Sequence, residues 1–87
     1  MLGYGRAKRF TATGDVATGE VVIQGMTISP GTAATTVVLR EGGAAGAIVG
    51  SWTGPANGAG FAIALAFAIQ SPHLTITGVA AEVTVVL

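Results

Sequence analysis

The stretch FAIALAFAIQ, Phe61 to Gln70, decides the fold. Alanine and leucine favour helix, yet Phe61, Ile63, Leu65, Phe67 and Ile69 all fall at odd positions and Ala62, Ala64, Ala66 and Ala68 at even ones. A strict period of two is strand spacing. A helix that crosses a bilayer needs about 20 apolar residues, whereas this run is bounded by Gly58–Gly60 on one side and Gln70-Ser71-Pro72 on the other. The segment is too short for that. An antiparallel strand with one face in water normally alternates apolar with polar residues, but here the small face carries neither charge nor hydroxyl. The sequence therefore predicts that Ala62, Ala64, Ala66 and Ala68 form a subunit-contact face; the competing reading is a central strand buried on both sides within one chain.

Working outward, turn signals separate further strand-like runs. Asn57-Gly58, before the quoted strand, suits the positive φ angles of a type I′ hairpin turn. AIVGSWT places Ile48 and Trp52 on one face, with Gly50 between them leaving room for the indole. GGAAG (Gly42–Gly46) and PGTAA (Pro30–Ala34) read as turns, and TTVVLRE between them alternates Val37 and Leu39 against Thr36, Val38 and Arg40. In EVVIQGMTIS, Val21 and Ile23 share one parity while Met26 and Ile28 have the other, so Gly25 is the expected seat of a bulge. GDVATGE is a turn, and HLTIT and EVTVVL are two more strands. With a segment near Ala7–Thr13, about seven short strands with regular turn signals predict an all-β fold: a small antiparallel, jelly-roll-like β-sandwich. The domain reading is a basic N-terminal arm at 1–10 and the sandwich at 11–87.

Composition narrows the function. Charged residues make up 9% of the chain, hydrophobic residues 51%, and cysteines are absent; an average soluble protein is about 25% charged. So little charge, in a domain near the lower size limit for a self-sufficient core, predicts self-association. Disulfides and cysteine-based zinc sites are excluded. Three of the four basic residues, Arg6, Lys8 and Arg9, lie in the first ten positions, whereas Asp15, Glu20, Glu41 and Glu82 all lie beyond them. MLGYGRAKRF has no apolar core of the kind a secretory signal needs.

Catalytic chemistry finds few materials. A Ser51–His73–Asp15 triad can be written down, but Gly50 directly precedes Ser51 and breaks the G-x-S-x-G pattern. The acidic residues sit at or beside turns, as solvated charges do, and no spacing suits zinc or calcium. The glycine-rich segments lack the lysine and following helix of a phosphate loop. Tyr4 and Phe10 could stack on bases, but three cationic residues make a small footprint for nucleic acid. The expectation is a protein that is not an enzyme and uses no cofactor, metal, nucleic acid or membrane.

The order of segments, from TATGDVATGEVVIQGMTISPGTAATTVVLREGG through the strand after PANG to HLTITGVAAEVTVVL, resembles small all-β virion proteins of tailed phages, of the decoration or cement type. VVLREGG (Val37–Gly43) and HLTITG carry most of the likeness. The resemblance implies a homotrimer on the outer surface of a capsid, made in the host cytoplasm, with the major capsid protein as partner. Tyr4, Arg6, Lys8, Arg9 and Phe10 would form the capsid-contact arm. The alternative is a small tail or head-fibre module that binds a host-surface glycan, with Tyr4 and Trp52 as its stacking residues.

Overall fold

Alternating apolar residues give strands one buried face each, and two such sheets cover one another. The computed structural model describes residues 7–87. Their eight strands are β1 (Ala7–Phe10), β2 (Gly14–Asp15), β3 (Glu20–Ser29), β4 (Thr35–Glu41), β5 (Ala47–Gly54), β6 (Phe61–Gln70), β7 (His73–Thr77) and β8 (Glu82–Val86). Sheet A has the order β1-β8-β3-β6 and sheet B the order β2-β7-β4-β5, with every pairing antiparallel. This is an eight-stranded sandwich with jelly-roll order. The strand beyond the expected seven is the two-residue β2.

The core is a single layer between the sheets. Val16, Ile23, Met26, Ile28, Val37, Leu39, Ile69, Leu74, Val83 and Val85 are buried together, and Phe10, Trp52, Phe61, Ile63, Leu65 and Phe67 pack around them partly exposed. The parity change in β3 is real: Ile23 lies opposite Phe67 but Gly25 lies opposite Ala64, so two steps on β3 match three on β6. Gln24 and Gly25 both turn off the core, and Met26 and Ile28 return to it. The extra residue of the bulge therefore lies on β6, where Ala66 adopts φ 56°, and not at Gly25 of β3, the expected seat.

Three further readings change. Asn57 does take a positive φ of 54°, but Pro55–Gly60 joins β5 in sheet B to β6 in sheet A, so it is not a hairpin. The turn there closes from the Gly58 amide to the Pro55 carbonyl at 3.0 Å; turn chemistry fixes the bend and not the sheet the chain enters next. Among the described residues only β4 and β5 are consecutive strands paired with each other. Second, Ile48 does not share a face with Trp52. The register slips between Leu39 and Arg40, pairing Gly50 with Leu39 but Ile48 with Arg40, and leaves Ile48 59% exposed. The indole does lie over Gly50, where an added Cβ would come within 2.6 Å of the ring.

The third change concerns the arm. Ala7–Phe10 form β1 and pair along β8 from Val86 to Val83, so four positions assigned to the arm belong to sheet A. Phe10 packs against the core cluster from that strand. Tyr4 and Arg6 lie outside the described residues.

Candidate functional site

β6 is an edge strand, hydrogen-bonded on one side to β3. Its large residues turn inward, but at an edge only Ile69 becomes fully buried. Ala62, Ala64, Ala66 and Ala68 are exposed, as are Val22, Gln24 and Thr27 on the same side of β3. Cross-strand register extends this surface in rows. Ala62 lies beside Thr27, Thr84 and Arg9; Ala64 lies beside Gly25, Val86 and Ala7; Ala68 lies beside Val22. Among the described residues, the outer face of sheet A around β6 is therefore built of alanine, glycine, threonine and valine with Gln24, and charge is confined to its rim at Glu20 and at the Arg9–Glu82 pair. The alternative of a central strand buried on both sides does not hold in the single chain.

Two features give this face relief. Val22 projects from it, 53% exposed. Three positions along the same strand, an open depression of about 420 Å³ is lined by Gln24, Gly25, Met26, Thr27, Ala62, Ile63, Ala64 and Val86. Gly25 lines the hollow without a side chain, and it lies so close to β6 that a Cβ there would stand 2.8 Å from the carbonyl oxygen of Ile63. The alanine face was legible in the sequence, whereas Val22 and the hollow were not singled out. The run Val21-Val22-Ile23 carried a signal for Val22, because in a strand the middle one of three branched apolar residues must face away from its neighbours.

The basic residues of β1 are engaged within the chain. The Lys8 Nζ donates to the Val16 carbonyl at 2.7 Å. The Arg9 guanidinium grips Glu82 through two hydrogen bonds, Nε to Oε1 at 3.1 Å and Nη2 to Oε2 at 2.6 Å. Hydrogen bonding by Arg9, and then its charge, holds the Glu82 carboxyl below its ordinary range, and the same contacts raise the Arg9 guanidinium. Lys8, Arg9 and Phe10 are thus not a free contact arm; backbone pairing with β8 and these bonds fix them.

The structure does bring Asp15 and His73 together, Oδ1 to Nδ1 at 2.7 Å, as opposing residues of β2 and β7. Ser51 does not join them. It pairs with Val38, which pairs with Thr75, so it sits two strands from β7 and level with a different residue, about 10 Å away by strand spacing alone. His73 is buried and its bond to Asp15 helps hold the short β2 against sheet B. Among the described residues no three His, Asp or Glu side chains converge as a metal site would require. The glycine turns spend their amides internally: Gly42 donates to the Gln70 carbonyl at 2.9 Å and Gly43 to that of Ser71 at 3.1 Å. Trp52 lies half-buried over Gly50 against the core, which leaves little ring face for a sugar.

No family model matches this chain, and no curated protein or solved structure matches it significantly.

Proposed function

We propose that this chain is a non-enzymatic structural protein of a virion, which self-associates and decorates and stabilises a phage capsid from its outer surface. The observation that carries the reading is the outer face of sheet A: four exposed alanines on an edge strand, beside Gly25 and Val22, with no charge in its interior. A face of this composition gains little from water and much from a second protein surface. Jelly rolls serve as viral capsid domains, as well as in lectins and cupins, which accords with the resemblance of the strand segments to virion proteins. The contact is assigned to sheet A and not to Lys8, Arg9 and Phe10, whose side chains are used within the fold.

The test is to purify particles from a host carrying the genome that encodes this chain, and to locate it in a whole-particle density map. The reading expects many symmetric copies on the shell. Copies on the tail, together with retention on an array of host-surface glycans, would replace it with the fibre reading; absence from the particle would overturn both.

A further inference from the structure

We propose that the outer face of sheet A binds the same face of a second copy about a twofold axis, with Val22 of each copy entering the hollow over Gly25 of the other. This rests on the reading of the chain as a self-associating subunit, and it narrows that reading to one contact and one symmetry. A twofold contact must be self-complementary, each patch facing its own image. The face supplies a projection and a recess on one strand, Val22 and Gly25, at the levels of Ala68 and Ala64 on β6. An axis lying in the face and crossing the strands midway between these levels carries each onto the other. Val22 and Ala68 then cover Gly25 and Ala64 of the second copy, and Ala66 meets its own image. Gln24, exposed beside the axis, meets another Gln24, and a carboxamide can both donate to and accept from its like.

Charge agrees with this occupant. Among the described residues none in the interior of the face is charged, so a second copy meets no like-charge repulsion there. Ten residues of β6 span about 33 Å, and the two strands that the rotation superposes, β6 and β3, about 10 Å; β8 flanks β3 only from Gly25 to Ser29 and is carried past it. That gives roughly 330 Å² per copy, or about 650 Å² for a pair, the size of a weak and transient contact. The pair should accordingly dissociate readily on dilution.

Light scattering and sedimentation of the full chain test the contact. At about 100 μM the protein should weigh twice 8.5 kDa and dissociate on dilution. Val22→Lys and Ala64→Glu alter exposed positions; each should weaken association at least tenfold while leaving the circular dichroism and unfolding midpoint in place. Mixed together, the two variants should form a heterodimer, because the new cation of one lies over the new anion of the other. Should Ala64→Glu fail to fold, Val22→Lys still decides the matter. A wild-type monomer at 100 μM, a trimer, or an unchanged mass for Val22→Lys would overturn the proposal. A trimer located on the shell would overturn this contact and keep the capsid reading; a dimer absent from particles would do the reverse.

Discussion

Sheet B turns Thr36, Thr53, Thr75, Thr77 and Ser51 outward around Val38 and Ile48, while the β6 half of sheet A turns out Ala62, Ala64, Ala66, Ala68 and Val22 beside Gln24. Both sheets have four antiparallel strands and share one core, so fold requirements alone do not explain the difference. On sheet B the hydroxyls meet water and one another, as in the 3.4 Å contact of Thr36 and Thr53. On β6 the four alanines make no such provision. The contrast accords with the proposal that the alanine face of sheet A works against a second protein surface.

The largest expected effect tests how far β6 belongs to the core. Ile69 is fully buried, so Ile69→Ala should destabilise the domain by about 2–5 kcal/mol. Leu65 is partly exposed at the edge, and Leu65→Ala should cost about 1–2 kcal/mol, since only part of its side chain has left water. Urea unfolding at low concentration measures both. Equal losses would mean that Leu65 is as well covered as Ile69.

A smaller effect separates two glycines, one in each sheet. At Gly25 a methyl group would meet backbone, the Ile63 carbonyl oxygen at 2.8 Å; at Gly50 it would meet the far side of the Trp52 indole at 2.6 Å. Backbone cannot swing aside, so Gly25→Ala should destabilise by about 1–3 kcal/mol and fill the recess. Gly50→Ala should cost less and push the indole toward solvent, seen as a red shift of fluorescence from the single tryptophan. An unshifted spectrum with an equal loss at both sites would show that the two sheets resist a methyl group alike.

Much of this fold is legible because its information is local. The parity of Phe61–Ile69 fixes which side of β6 meets the core, and the parity break around Gly25 fixes where the strand pair slips. What the sequence does not display is pairing between distant segments. Nothing in Asn57-Gly58 tells whether the next strand joins the same sheet or crosses to the other, and nothing in Ala7–Phe10 shows that Val83–Val86 lies beside it. The same limit explains the site. The alanine stripe is a one-strand pattern and could be read directly, but the hollow at Gly25 requires Ala62, Ala64, Thr27 and Val86 from three strands. The Asp15–His73 contact, spanning 58 positions, could be written as a pair, yet only strand order shows that Ser51 stands apart from it.

The next contrast places the same charge on each face. Ala68→Glu and Ser51→Glu both alter exposed positions, and each should change unfolding free energy by less than about 0.5 kcal/mol. Their effects on particle mass should differ: Ser51→Glu should leave association intact, and Ala68→Glu should weaken it by desolvating a carboxylate. Equal behaviour in light scattering would remove the distinction between the faces.

The smallest effect belongs to the rim of sheet A, where Arg9 on β1 meets Glu82 on β8, across the sheet from β6. Because Arg9 holds the folded Glu82 carboxyl below its ordinary range, the ionised form favours the folded state. That contribution is fully present above the unfolded carboxyl value, about 4.3, and is lost as the pH falls through the lower folded value. The melting temperature of the wild type should therefore slightly exceed that of Glu82→Gln at neutral pH, and the gap should close in acid. Both side chains are substantially exposed, 62% and 46%, so about 1 M salt should shrink the gap as well. Self-association should be the same in both proteins at every pH, since the pair lies away from Val22 and the alanines. A gap that survived both acid and salt would mean that Glu82 acts through packing against β1, and not through its charge.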